Sequence, residues 1–136
     1  MRTIHLLIFD DFIVGTAQVF TDPKWNWTLA QADRLRLYGV VDQVTGSSVT
    51  LSAQIQESPD NRNFQAKNTN PEILNAAIGT TATVQVSGYD GSPYNPPLSG
   101  YVRVAMQIGN GTTGIGAHVK LYVTGRGEVV GSSSGG

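Results

Sequence analysis

The side chains of this chain that are best suited to ligand contact are aromatic. Trp25 and Trp27 lie two positions apart around Asn26, and an extended strand would place both rings on one side. Such a pair predicts a platform on which a sugar ring stacks, with Tyr89 and Tyr94 from a long loop as helpers. The alternative interpretation, core packing or a subunit interface, is the commoner role of tryptophan pairs, and both interpretations stay open.

Residues that could carry out catalysis are scattered in this sequence. Cysteine is absent, and no serine lies in a nucleophile elbow. Asp10 and Asp11 are adjacent, so they point to opposite faces of an extended strand, and the other eight acidic residues are dispersed. We therefore expect a protein that is not an enzyme. A small hydrolase would require distant carboxylates to meet in one cleft.

Metal and cofactor motifs are equally weak. Neither His5 nor His118 has a second ligand at metal spacing. Residues 60–63 (DNRN) resemble part of a calcium loop, but no bidentate glutamate follows them, and turn formation explains them. Residues 109–114 (GNGTTG) match G-x-G-x-x-G, yet a strand pattern follows where the phosphate-binding helix should begin. We expect a loop at 109–114, no metal and no cofactor.

The charge of the chain excludes some partners. Nine basic and ten acidic residues give a net charge of −1 and form no basic stripe, so nucleic acid is not an expected partner. Charged residues are only 14% of the chain, which favours close contact with a protein partner at a small desolvation cost. The apolar run at 4–9 is too short for a signal sequence or a membrane span, so we expect synthesis in the cytoplasm and no membrane partner.

Strand patterns recur along the chain between turn residues. They predict an all-β fold, a two-sheet antiparallel β-sandwich that is jelly-roll-like and has about eight strands. The expected strands are 4–9, 13–20, 25–29, 35–44, 48–57, 81–87, 101–108 and 117–124. One short helical piece is expected at 70–78, where Asn70 is a suitable cap and Pro71 suits the first helical position.

The alternation of apolar and polar residues also suggests which strands pair. We expect 35–44 and 48–57 to form a hairpin across the turn at 45–48, because each strand has one apolar face. The strands 101–108 and 117–124 are expected to form a closing hairpin for the same reason.

The expected domain spans residues 1–127. Residues 1–12 are predicted to form an N-terminal arm or an edge strand, and 128–136 a flexible Gly/Ser-rich tail. Residues 87–100 contain three prolines and three glycines, and we expect them to form a long exposed contact loop.

Three short segments together resemble a known class of proteins. The turn 58–60 (SPD), the aromatic Phe64 and the later strand 101–104 (YVRV) are similar to segments of small β-sandwich structural proteins from tailed bacteriophage virions. The resemblance covers roughly residues 33–123. It implies a virion component, most simply a capsid decoration (cement) or head-accessory protein, with a tail or fibre component as the other option.

This resemblance carries expectations about partners and location. It implies a protein of the virion that binds the major capsid protein or other virion subunits, and a homo-oligomer, with a trimer favoured. A carbohydrate-binding or adhesion module is the alternative function. Under either function Trp25, Trp27, Tyr89 and Tyr94 are the candidate interface or ligand contacts.

Overall fold

Two antiparallel sheets form a β-sandwich, as the sequence predicts. The computed structural model describes residues 2–67, 71–78, 83–94, 97–109 and 114–127. The strands are β1 (Arg2–Val14), β2 (Val19–Phe20), β3 (Ala32–Thr45), β4 (Thr50–Ser58), β5 (Gln65–Ala66), β6 (Glu72–Ala77), β7 (Val84–Tyr89), β8 (Tyr101–Gly109) and β9 (Gly116–Gly127). A short 3-10 helix (Pro23–Trp25) and helix α1 (Asn26–Ala30) lie between β2 and β3.

The two sheets divide the strands unevenly. Sheet 1 has the order β1-β9-β3-β7, so the last strand of the described chain lies between the first and the third. Sheet 2 has the order β2-β8-β4-β5, and β6 pairs with β4 beside β5. Every pairing is antiparallel.

The core lies between the sheets and is built by alternate residues of the long central strands. These side chains are nearly inaccessible because the period of a strand is two, so every second residue faces the opposite sheet. They include Leu35, Leu37 and Val41 of β3, Leu51 and Ile55 of β4, Val104 and Ile108 of β8, and Val119, Leu121 and Val123 of β9.

Both expected hairpins are wrong. Strand β3 belongs to sheet 1 and β4 to sheet 2, so residues 46–49 carry the chain from one sheet to the other. The strands β8 and β9 are likewise in different sheets. Alternation shows that a strand has one buried face, but not whether its neighbour in sequence lies beside it or opposite it. At the first crossing Gly46 has a φ of 112°, and a Cβ there would lie 2.8 Å from Ile115 Cγ2.

The expected helix at 70–78 is also wrong. Residues Glu72–Ala77 form β6, which hydrogen-bonds to β4, and Asn70 lies outside the described residues. Leu74 and Ile78 are both buried, a four-residue spacing that also fits a helix. The open edge of β4 supplies ladder partners that the local sequence does not reveal.

The expected strand at 25–29 is helical instead. Pro23 opens the 3-10 helix, and Asp22 Oδ1 accepts a hydrogen bond of 2.9 Å from the backbone N–H of Lys24. An aspartate followed by proline is a helix-start pattern, and here it outweighs the strand preference of the tryptophans. Because the segment is not extended, the two-residue spacing of Trp25 and Trp27 does not place their rings on one side.

The expected strands at 4–9 and 13–20 are divided differently in the structure: β1 runs unbroken from Arg2 to Val14, and Val19–Phe20 forms the separate strand β2. Residues 2–12 lie in β1, at the edge of sheet 1, where they pair with β9 past a bulge between Leu7 and Phe9. The segment 128–136 lies outside the described residues. Within the described ranges, no helix has the length and apolar character needed to cross a bilayer.

Candidate functional site

The outward face of sheet 1 is an ordered grid of aromatic and polar side chains. Its centre is the cross-strand pair of Tyr38 on β3 and Tyr122 on β9, which are direct partners in the ladder. Their sequence neighbours Leu37 and Val123 are buried, so both tyrosines project to the outside. The His5 ring of β1 stacks on Tyr122 with centroids 6.4 Å apart and planes at 19°.

These rings line a depression that we call the tyrosine groove. Its central part, of about 340 Å³, is lined by His5, Arg36, Tyr38, Tyr122 and Thr124. An adjoining part, of about 590 Å³, shares Arg36 and Thr124 with it and extends to Tyr89 and Arg126. Volumes of this order are typical of small-ligand sites.

One end of the tyrosine groove is rich in arginine. Arg34 and Arg126 are direct cross-strand partners, and the next residue outward on β3 is Arg36. Like charges directly opposite each other destabilise a sheet, so this arrangement favours an anionic group nearby. Asp33 provides one such anionic group, with its Oδ1 atom 3.5 Å from Arg34 Nε. The described residues provide no carboxylate within ion-pair distance of Arg36 or Arg126.

The rings of the groove are fixed by their neighbours. The Tyr38 hydroxyl donates to Gln85 Oε1 on β7, and the Arg36 guanidinium lies 5.8 Å from the centre of the Tyr38 ring. A flat apolar ring with hydrogen-bonding groups at its rim can hold a sugar by stacking and by hydroxyl contacts.

The opposite end of the same face holds a histidine between two carboxylates, which the sequence analysis missed. His118 Nδ1 lies 2.8 Å from Asp42 Oδ1, and His118 Nε2 lies 2.8 Å from Asp10 Oδ1. Both ring nitrogens can donate only in the imidazolium form. The hydrogen bonds to Asp42 and Asp10 accordingly raise the pKa of His118 above its ordinary value.

This histidine cluster joins the three strands β1, β9 and β3, and it does not form a catalytic triad. Both imidazole nitrogens are occupied by carboxylates, so neither is free to activate a nucleophile. The Phe12 ring lies 5.4 Å from the imidazole. Among the described residues, no group of three or more His, Cys, Asp and Glu side chains is arranged to hold a metal ion.

The four residues predicted from sequence occupy different environments. Trp25 is half-buried against the core with Lys24 Nζ 5.1 Å from its ring, whereas Trp27 is 53% exposed and contacts Tyr101 at 6.3 Å between centroids. Tyr89 is 69% exposed and lines the tyrosine groove. Their roles as ligand or interface contacts stay predictions.

Tyr94 is held inside the expected contact loop instead of being presented by it. Its hydroxyl donates to Asp90 Oδ2, and its backbone N–H donates to Asp33 O at 2.7 Å. Burial and the adjacent Asp90 raise the pKa of Tyr94 far above its ordinary value. Among its described residues, this loop is tied to the start of β3 and supports the wall of the groove at Asp90.

The segment that resembled a calcium loop is a closed turn. Asp60 Oδ1 accepts hydrogen bonds from Ser58 Oγ and from the backbone N–H groups of Arg62 and Asn63. Asp60 Oδ2 accepts from Asn63 Nδ2. The backbone donors hold the pKa of Asp60 well below its ordinary value. Turn formation therefore explains these residues, as the sequence predicts.

Comparison with known proteins supports the fold class. No family model matches the chain, and no curated protein matches its sequence significantly. Among solved structures, it is similar to the CBM22-1-GH10 modules of Clostridium thermocellum xylanase 10B complexed with xylohexaose (TM-score 0.55, 8% identity) and to the CBM22-2 xylan-binding domain of Paenibacillus barcinonensis Xyn10C (TM-score 0.52, 9% identity).

The extent of these matches differs. They cover 94% and 86% of this chain, which spans a quarter of the first structure's length and 88% of the second's. A weaker likeness, with a TM-score of 0.44 and 11% identity, is to the VP2 subviral particle of infectious bursal disease virus, covering 93% of this chain and 33% of that one. At these identities the likenesses concern the β-sandwich alone.

Proposed function

We propose that this chain is a non-catalytic carbohydrate-binding module whose ligand lies in the tyrosine groove. The observation that carries the proposal is the outward-facing Tyr38–Tyr122 pair, with His5 stacked on one ring and Arg36 beside the other. Stacking against two neighbouring rings gives affinity for the apolar face of a sugar. The groove is open at the surface, so it suits a chain of sugars better than an enclosed monosaccharide.

The polar rim of the groove suggests the class of glycan. Arg36, Arg34 and Arg126 lie at one end of the aromatic pair. A guanidinium pairs well with carboxylate or sulfate groups because its N–H groups match two acceptor oxygens. We therefore propose that the groove prefers glycans with acidic substituents over neutral ones of the same backbone.

The likeness to solved glycan-binding modules supports this function. The two xylanase structures described above, with TM-scores of 0.55 and 0.52, contain or are CBM22 modules; one is complexed with xylohexaose and the other is named as xylan-binding. A sandwich of this shape is thus used for glycan binding elsewhere. The residues that would bind in this chain are argued from its own groove.

The test is binding of the purified chain to a glycan panel, followed by calorimetry with the best ligand. Tyr38→Ala and Tyr122→Ala are each expected to weaken binding about tenfold, since an aromatic contact contributes on the order of 1 kcal/mol beyond its buried area. Trp27→Ala is the matched control: it removes an exposed aromatic ring elsewhere and should leave the affinity unchanged. A wild-type chain that binds no glycan would refute the proposal. So would binding that is lost with Trp27 and kept without the tyrosines.

We propose a virion structural subunit, most simply a capsid decoration protein, as the second candidate. It is favoured by the edge of β1, which no other described strand covers, and where Leu7, Phe12 and Val14 are 40%, 50% and 76% exposed. A long edge strand with exposed apolar side chains can pair with a neighbouring subunit by β-augmentation. The partners would be a second copy of this chain, in a trimer, and the major capsid protein.

Sedimentation separates the two candidates. A decoration protein should form a defined oligomer that sediments with phage capsids, and Val14→Lys at the β1 edge should weaken both associations. Lys67→Ala, on a loop far from β1 in sequence, is the control. A wild-type chain that stays monomeric and leaves capsids unbound would contradict this second function without touching the glycan proposal.

A further inference from the structure

A second concave site lies on the other side of the fold, at β2, β8 and the 58–64 turn. We call it the arginine pocket, and it has a volume of about 430 Å³. Its lining includes Phe20, Asn26, Asn61, Arg62, Phe64 and Arg103. None of these residues lines the tyrosine groove, so a ligand of the arginine pocket would be independent of the glycan proposed for the groove.

Arg103 is clamped in this pocket. Its guanidinium carbon lies 3.8 Å from the centre of the Phe20 ring and 4.1 Å from that of Phe64, so the group is sandwiched between two aromatic faces. Arg103 Nε donates to Gln56 Oε1 at 2.7 Å. A planar group held on both faces and at one nitrogen has lost most of its rotational freedom before any ligand arrives.

The two Nη groups of the Arg103 guanidinium are available to a ligand. Among the described residues, neither Nη group of Arg103 has a hydrogen-bond acceptor, and no carboxylate pairs with Arg103 or with Arg62. Partial burial makes the charged form of Arg103 less favourable and lowers its pKa from the ordinary value. A charge that is partly removed from water and lacks a counter-charge favours an anion in the pocket.

Asn26 adds a buried hydrogen-bond acceptor to the pocket. Its side chain is buried, with 4% of the residue exposed, and Nδ2 donates to Asn61 Oδ1 at 2.8 Å. Asn26 Oδ1 is buried and has no hydrogen-bond partner within the described part of the chain. Buried polar atoms are nearly always paired, because an unpaired acceptor loses its hydration without compensation. The pocket therefore lacks one hydrogen-bond donor as well as one anion.

We propose that the arginine pocket binds a small carboxylate that carries a hydrogen-bond donor on the neighbouring carbon. The carboxylate oxygens pair with the two Nη groups of Arg103, whose fork matches a planar carboxylate better than a tetrahedral anion. Arg62 adds a second positive charge, and the donor of the ligand serves Asn26 Oδ1. That donor is a hydroxyl in a hydroxy acid, including the sugar acids, or an ammonium in an amino acid.

Titrations followed by NMR on the ¹⁵N-labelled full chain test this assignment with four probes. Acetate carries the carboxylate alone, glycolate adds a hydroxyl, glycine adds an ammonium, and inorganic phosphate is a tetrahedral anion. The proposal expects saturable shifts at Arg103, Asn26 and Asn61, with glycolate or glycine binding about tenfold more tightly than acetate. Whichever of the two is tighter identifies the source of the donor.

Three variants complete the test. Arg103→Lys keeps the charge but loses the fork, and should weaken the tighter probe about tenfold. Asn26→Leu, of similar volume, should abolish the preference over acetate. Arg36→Lys, in the tyrosine groove, is the matched control and should leave the shifts of Arg103, Asn26 and Asn61 with every probe unchanged. The proposal is overturned if no probe gives saturable shifts, if phosphate binds as well as glycolate and glycine, or if Arg103→Lys has no effect.

Discussion

The tyrosine groove and the arginine pocket are built in opposite ways. The groove is made by consecutive outward positions of paired strands, and its rings are held only by neighbours on the same sheet face. The pocket gathers residues from β2, α1, the 58–64 turn and β8, and it grips its central side chain from both faces. A regular surface suits a long ligand with repeated units, whereas an irregular pocket suits one small ligand held at defined atoms.

The largest effect is expected from Gly88→Ala, which should damage both regions at once. A Cβ at Gly88 would lie 1.6 Å from the carbonyl oxygen of Ile73, so β7 and β6 could no longer approach across the edge of the sandwich. Backbone has to move, and we expect a loss of about 3 kcal/mol or more in the free energy of unfolding, measured by urea denaturation.

Gly100→Ala is the matched control for this change, because a Cβ at Gly100 would meet no described residue within 4 Å other than its chain neighbours. It should leave the urea midpoint almost unchanged. If Gly88→Ala proves as mild as the control, the close approach of β6 and β7 is not a feature of the folded protein.

A second change should affect the groove alone. Arg36→Gln removes a charge beside Tyr38 while keeping a hydrogen-bonding group, so binding of an acidic glycan should weaken by roughly 1 kcal/mol and become less sensitive to salt. Binding of the neutral glycan with the same backbone should stay constant. Calorimetry at two salt concentrations measures both, and an equal loss for the two glycans would show that Arg36 acts through something other than charge.

The histidine cluster at the far end of the groove face gives a smaller, pH-dependent effect. Because the pKa of His118 is raised in the folded chain, its contribution to stability is present at pH values below its ordinary pKa of 6.5 and is lost as the pH rises through the folded pKa. The urea midpoint should therefore fall over that window. In His118→Gln the fall should disappear, and an unchanged pH profile in that variant would assign the dependence to other groups.

The smallest effect is expected from Asp60→Ala, and it should loosen the pocket but not the groove. Asp60 closes the turn that presents Asn61 to Asn26, so its removal should weaken carboxylate binding at Arg103 and leave glycan binding intact. Its pKa is lowered, so in the wild type this support is present at pH values above the ordinary 3.8 and is lost as the pH falls through the folded value. Parallel titrations of the two sites check the separation.

The difference between the two regions also explains what the sequence could predict. Alternation along β3 and β9 places Tyr38 and Tyr122 on the outward side of their strands, and this much is readable without a structure. That the two residues are direct partners is not readable, because the expected hairpins joined the wrong strands. The pairing of β3 with β9 depends on contacts between residues some eighty positions apart.

The arginine pocket and the histidine cluster are harder to predict from the sequence than the tyrosine pair. His118 meets Asp10 and Asp42 from two other strands, at sequence separations of 108 and 76 residues. Arg103 acquires its two phenylalanine neighbours from separate parts of the chain: Phe20 comes with the pairing of β2 and β8, and Phe64 comes with the 58–64 turn. Local sequence patterns predict the β-sandwich and the buried face of each strand. They do not predict the arginine pocket or the histidine cluster, because these depend on which strands lie side by side.

The place of β9 in the middle of sheet 1 sets the order of events during synthesis. Among the described strands β1 pairs only with β9, and β3 pairs with β9 and β7, so β1 is synthesised before the one described strand that pairs with it. Pairing across such distances is slow to form because most of the chain must first be brought together as a closed loop. β3 and β7 can pair earlier, but sheet 1 cannot be completed until β9 has been synthesised, and until then the edge of β1 is open to other nascent chains.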